Sequence, residues 1–186
     1  ITSPGLLGTP TAPTAAANTN TTQIATTAYV IGQGYLTTAT ATSTYAPLTN
    51  ASLITPTLTS EKETATISAT AATGTVNVDM KTSTVKYYTS NASANWTFNF
   101  RGDGSTTLNS IMNTGDVMTV AFLVTNGGTA YYPNAFQVDG SSVTPKWSGG
   151  TAPSSGNTSA IDSYTFTIVK TASATFTVLA SVSKFA

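Results

Sequence analysis

Residues 96–100 read WTFNF, and residues 117–124 read VMTVAFLV. In the first stretch apolar and polar side chains alternate, so Trp96, Phe98 and Phe100 share one face of an extended chain. The second stretch is almost wholly apolar, which is typical of a strand that is covered on both faces. Both stretches therefore predict β-strands.

The same pattern continues through most of the chain after Glu61. Further alternating runs occupy residues 65–69, 76–80, 164–168 and 176–182. Glycine-containing turn signals separate the runs, and they stand at residues 102–104, 126–128, 139–140 and 149–150. Eight to ten short strands with frequent turns predict an all-β fold, and more specifically an antiparallel β-sandwich or jelly roll.

Charge and reactive side chains are scarce along the 186 residues. Seven basic residues balance seven acidic ones, so no net field attracts nucleic acid or an anionic membrane. Cys and His are both absent, which excludes disulfides, thiolate nucleophiles, His-based triads and the usual zinc ligands. No apolar run approaches the roughly 18 residues that cross a bilayer, so we expect no membrane insertion. We also expect no metal and no cofactor.

The chain changes character near residue 60. No Asp, Glu, Lys or Arg precedes Glu61, and no Trp or Phe does either. We therefore predict two domains, at residues 1–60 and 61–186. The first has few large apolar side chains for its length, so it is either disordered or ordered by association with other chains. Because the chain begins at Ile1 without a leader-like segment, we expect a fragment of a longer polypeptide or a processed one.

One helix signal stands in the first domain. Residues 20–23, NTTQ, have the form of a capping box with Asn20 as N-cap and Gln23 reaching back. A narrow apolar stripe then follows at helical spacing, formed by Ile24, Ala28 and Ile31. These features predict a short helix near residues 21–31.

The first domain also resembles a known repeat. Residues 8–30, GTPTAPTAAANTNTTQIATTAYV, closely resemble the repeat of bacteriophage tail-fibre proteins, and residues 43–58, STYAPLTNASLITPTL, look like its continuation. Residues 87–111 and 139–153 are similar to C-terminal modules of structural and fibre proteins of marine phages, particularly those that infect cyanobacteria.

The resemblance implies a homotrimer with an extended, partly helical shaft at residues 1–60 and a distal knob at 61–186. Three copies of the stripe of Ile24, Ala28 and Ile31 would then meet on a shared axis, and the lack of charge would avoid repulsion between copies. It also implies location in the virion as part of a tail fibre, with other virion tail proteins and a host-surface glycan or protein as partners. The implied work is attachment to the host.

The best candidate for receptor binding combines Tyr131, Tyr132 and Asn134 with Trp147. Aromatic faces stack on sugar rings, and an amide can hydrogen-bond to hydroxyl groups. The competing interpretation is that Trp147 and one tyrosine fill the core or a subunit interface, since large aromatic side chains are mostly buried.

Catalysis is not expected. Glycoside hydrolysis needs two positioned carboxylates, and no pair stands out among Asp79, Asp103, Asp116, Asp139, Asp162, Glu61 and Glu63. The tripeptide at residues 101–103 matches an integrin-binding motif, but we interpret it as a strand end followed by a turn. Three alternatives stay open: a head or collar fibre that binds no specific receptor and, as weaker ones, a polysaccharide depolymerase and a bacterial surface adhesin of non-viral origin.

Overall fold

Two compact units make up the chain, Ile1–Thr59 and Ser60–Ala186. The computed structural model describes Gly8, residues 11–16, Asn18, residues 25–32, Thr57, residues 59–60 and residues 62–186. Several predicted features lie outside the described residues: Asn20, Gln23, Ile24, Glu61 and nearly all of the segment at 43–58.

The described helix of the first unit, α1, spans Thr27–Gly32. Thr26 caps it, because its hydroxyl accepts the N–H of Tyr29 at 3.1 Å and its carbonyl accepts the N–H of Val30 at 3.0 Å. The helix predicted near residues 21–31 therefore does not include residues 25 and 26, since Thr26 is the cap and residue 25 precedes it. Ala28 and Ile31 are exposed within the single chain, Ile31 at 79%.

Residues 62–186 are mostly β-strand, as the sequence predicts. Ten strands are present, with one short helix, α2, at Leu108–Ile111 and a 3-10 turn at Ser148–Gly150. The strands are β1 Thr66–Ala71, β2 Gly74–Asp79, β3 Val85–Asn91, β4 Trp96–Arg101, β5 Val117–Thr125, β6 Pro133–Val138, β7 Ser141–Ser142, β8 Lys146–Trp147, β9 Ile161–Ala172 and β10 Thr175–Phe185.

The strands form two sheets of mixed direction. The six-stranded sheet has the order β1-β3-β5-β9-β10-β8, and the four-stranded sheet has the order β2-β4-β6-β7. From β1 to β6 the chain enters the two sheets alternately, so neighbours within each sheet run parallel. The prediction of antiparallel sheets is therefore wrong, although β9 and the β6–β7 pair are antiparallel. Alternation in sequence reports which face is buried but does not report strand direction.

One hydrophobic core receives side chains from both sheets. Trp96, Phe98 and Phe100 are all at most 1% exposed, which confirms that they share a buried face. Phe98 of the four-stranded sheet meets Phe122 of the six-stranded sheet with ring centroids 4.7 Å apart. The predicted turn at Asp139-Gly140 is also confirmed, with φ of 51° and 78°, the combination that a two-residue hairpin favours.

The apolar run at residues 117–124 departs from its prediction. Val120, Phe122 and Val124 point into the core and are fully buried. The opposite face of the same strand is open within the single chain, and Val117 there is 55% exposed. Coverage on both faces, which the composition of this run predicts, is therefore met on one side only.

Candidate functional site

An open groove of about 680 Å³ lies where the edge of the four-stranded sheet approaches β8. Its lining combines aromatic, amide, hydroxyl and basic groups, and includes Asn134, Phe136, Ser142, Thr144, Lys146 and Trp147. This groove can receive a ligand, because it is concave and places polar groups beside apolar faces.

Strand register aims two aromatic side chains into the groove. Phe136 lies level with Phe98 in the neighbouring strand, and Trp147 lies level with Ala180 of β10, so both point to the core side of their sheets. The rings of Phe136 and Trp147 meet edge to face at 5.7 Å. Each is partly buried against the core and each also lines the groove. The two interpretations of Trp147, core filling and binding, therefore both describe part of its surface.

The four predicted binding residues separate into two groups. Asn134 is exposed and lines the groove together with Trp147. Tyr131 and Tyr132 are not among the lining residues, and Tyr131 packs against the core instead. Asparagine side chains hold the backbone of this segment: the N–H of Tyr131 donates to Asn126 Oδ1, and that of Tyr132 to Asn95 Oδ1, each at 3.1 Å.

Sequence reasoning missed Phe136 and Lys146. Both had a local signal, since Phe136 follows Asn134 at the two-residue period of a strand and Lys146 precedes Trp147. The sequence does not show that β8 pairs with β10, and this pairing brings residues 146–147 beside β6.

The groove carries a positive charge and no negative one. Lys146 is exposed at its rim, and no carboxylate is among its lining residues. The aromatic surfaces can pack against apolar faces of a ligand, while Asn134 and the hydroxyls of Ser142 and Thr144 can hydrogen-bond to it. This arrangement suits polar ligands that are neutral or anionic.

The aspartates of residues 62–186 all have structural partners. Two form ion pairs: Asp79 with Arg101 at 2.6 Å and Asp103 with Lys81 at 2.7 Å. Asp116 accepts the N–H of Asn113, and Asp139 accepts the N–H groups of Leu108 and Asn109. Asp162 accepts from the Asn126 side chain and from the N–H of Asn157. The Lys81 ammonium, with backbone help, holds the pKa of Asp103 below its usual range. Arg101 and Asp103 of the integrin-like tripeptide are thus engaged in separate ion pairs.

Asp162 is fully buried beside the loop that follows β8. Its Oδ2 accepts from Asn126 Nδ2 at 3.1 Å and from the N–H of Asn157 at 3.0 Å. Its Oδ1 has no hydrogen-bond partner among the described residues, and burial raises the pKa of this carboxyl. Because Asn126 also holds Tyr131, the carboxylate ties this loop to the segment that leads into β6.

The described ranges contain neither a candidate membrane-spanning helix nor a candidate metal cluster. Their helices are too short, or not apolar enough, to cross a membrane. No cluster of three or more His, Cys, Asp or Glu residues in these ranges is arranged to hold a metal ion. Comparison with protein-family models, with curated proteins and with solved structures gives no match.

Proposed function

We propose that this chain is a non-catalytic adhesion component of a bacteriophage tail fibre, located in the virion. Residues 61–186 would form its distal β-sandwich knob, and residues 1–60 its trimeric shaft. The groove at Asn134, Phe136 and Trp147 would bind a glycan of the host surface. The tail-fibre-like repeat at residues 8–30 supports the fibre assignment, and the groove carries the binding assignment.

The chemistry of the groove favours a sugar over an apolar ligand. A sugar ring presents C–H groups on its faces and hydroxyls around its edge, which matches aromatic rings bordered by an amide and hydroxyls. Lys146 at the rim adds a preference for glycans that carry acidic groups. The shared core of the two sheets supports the sandwich architecture, which holds β6 and β8 at fixed positions beside the groove.

The positions and hydrogen-bond partners of the carboxylates support a function without catalysis. None lines the groove, and each aspartate of residues 62–186 is paired with a cation or with N–H groups. A glycosidase would instead hold two carboxylates on either side of the bound sugar. Weak binding suffices for attachment, because three copies on one fibre multiply the avidity without any new contact.

The test is binding of the full chain to an array of bacterial surface glycans. We expect Trp147→Ala to reduce the affinity for a bound glycan by about tenfold or more, because it removes the largest aromatic surface. Asn134→Ala, an exposed change without a core contact, is expected to reduce it by about threefold to tenfold. Phe176→Ala is the control, because Phe176 also packs against the core but does not line the groove.

Three outcomes would contradict the proposal. If the wild-type chain binds no glycan and no host cell, the alternative of a head or collar fibre without a receptor is favoured. If Phe176→Ala reduces binding as much as Trp147→Ala, the effect comes from stability and the groove is not the site. If bound polysaccharide is shortened during the assay, the chain is a depolymerase.

A further inference from the structure

The outward face of the six-stranded sheet is neutral across its central strands. Its outward side chains are Val117, Thr119, Ala121 and Leu123 on β5, Ile161, Ser163, Thr165, Thr167 and Val169 on β9, and Thr177, Leu179, Ser181, Ser183 and Phe185 on β10. None of them is charged. Lys146, level with Leu179 on the edge strand β8, is the one charged side chain that the register places on this face.

Exposed apolar side chains concentrate on the same face. Residues 62–186 have five large apolar side chains that are exposed, and four of them lie here: Ile67 at 61%, Phe185 at 57%, Val117 at 55% and Leu179 at 45%. Thr165, Thr167 and Leu179 also border a shallow hollow of about 430 Å³ beside β8. In the register of the sheet these four side chains lie on β1, β5 and β10 and are not adjacent, so they show the apolar character of the face as a whole and do not form one compact patch.

The outward face of the four-stranded sheet is a contrast within the same domain. Asn99 Nδ2 donates to Asn77 Oδ1 at 2.9 Å, and Asn99 Oδ1 accepts the N–H of Gly140 at 2.9 Å. Arg101 and Asp79 form an ion pair there. Its polar groups therefore have partners within the chain, and this face suits water better than a protein partner.

The composition of residues 117–124 indicates that another surface covers the neutral face. This run has the composition of a strand buried on both sides, yet the single chain buries only the side of Val120 and Phe122. Five strands about 4.8 Å apart and about eight residues long give a face of roughly 600–700 Å², close to the ~800 Å² per partner of a stable interface.

Neutrality favours another copy of the chain as that cover. Contact between copies brings the same surfaces together, so a charge at the centre of the face would meet its like. The central strands carry no charge there, and Lys146 lies at the edge of the face, on β8. A nucleic acid or a charged membrane would gain no electrostatic attraction from such a face.

We infer that the outward face of the six-stranded sheet binds a second copy of this chain. Residues 62–186 then carry an association surface of their own, besides the one proposed for residues 1–60. This deepens the self-association in the proposed function, and the face shares only the edge residue Lys146 with the lining of the glycan groove. A trimer would turn three such faces toward one axis.

Single cysteines test the inference, because the natural chain has none. Thr119→Cys places a thiol on the neutral face in the central strand β5, and Thr75→Cys places one on the outward face of the four-stranded sheet. Both threonines are exposed in the single chain, so the two variants are matched. The full chain is labelled with a small maleimide, and its mass is followed by light scattering over the same concentrations.

We expect the thiol of Thr119→Cys to react at least about tenfold more slowly than that of Thr75→Cys in oligomeric samples, and equally fast after dilution to monomer. Adding Leu179→Glu to Thr119→Cys is expected to restore fast labelling without dilution. Equal rates in the oligomer would overturn the inference, and so would protection that survives Leu179→Glu. Protection in a monomeric sample would show instead that the chain covers this face with its own residues. Glycan binding, measured separately, reports on the groove alone.

Discussion

Phe98→Ala is expected to cost a large part of the stability of the β-domain. Phe98 is fully buried, and six aromatic rings surround it with centroids 4.7 to 6.3 Å away. Those rings belong to strands of both sheets, whose backbones are fixed by hydrogen bonding, so the cavity cannot collapse easily. Phe→Ala changes in cores cost about 3–5 kcal/mol, and we expect a value near the upper end. Domains of this kind have only about 5–15 kcal/mol of stability in total.

Urea unfolding measures this loss. Trp96 is buried with its ring 5.8 Å from that of Phe98, so its fluorescence follows the unfolding of the same core. Two controls show whether the loss comes from the cavity in the core. Phe98→Leu keeps most of the side-chain volume and should cost less than about 1.5 kcal/mol, while Thr97→Ala on the opposite face of the strand should change the stability by no more than about 0.5 kcal/mol. A loss below about 2 kcal/mol for Phe98→Ala, at an unchanged slope with urea, would refute the enclosed core described above.

Three further changes test other contacts, each by the free energy of unfolding. Gly102→Ala places a Cβ 2.8 Å from a backbone oxygen and should cost about 1–3 kcal/mol, whereas Gly104→Ala meets nothing closer than 3.9 Å and should be nearly neutral. Lys170→Met removes a buried ammonium that donates to two backbone carbonyls at 2.6 and 2.7 Å, for a loss of about 1–3 kcal/mol, and the exposed Lys184→Met is its control. Burial raises the pKa of Asp162 above 3.8 in the folded state, so the folded chain favours the protonated carboxyl. The contribution of this group to the free energy of unfolding is therefore complete below about pH 4 and is lost as pH rises through the raised pKa. Asp162→Asn should therefore gain stability relative to wild type as pH rises above about 4, and parallel pH profiles would contradict this assignment.

The groove shows how far local patterns reach. Asn134 and Trp147 were predicted from residue type, and the structure places both in the groove. The same reasoning grouped Tyr131 with them because it is close in sequence, but Tyr131 turns toward the core. Two neighbours on an irregular segment can point in different directions, and nothing in residue type indicates which one faces a ligand.

The start of α1 gives a second example. A capping box at residues 20–23 is a valid local signal, yet Thr26 holds a capping geometry that the sequence allows equally well. Threonine at an N-cap competes with threonine in the helix interior, so a Thr-rich segment contains several possible helix starts.

The residue pattern alone identified the β class of residues 62–186 and the buried face of β4. It did so because side chains alternate across a strand whatever the strand pairs with, and because apolar faces must leave water. Strand direction, sheet membership and the meeting of Phe136 with Trp147 were decided by the tertiary structure. The chain passes alternately between two sheets, and that path depends on packing between residues far apart in sequence. The two-residue period of a strand is a local pattern and carries no information about such packing.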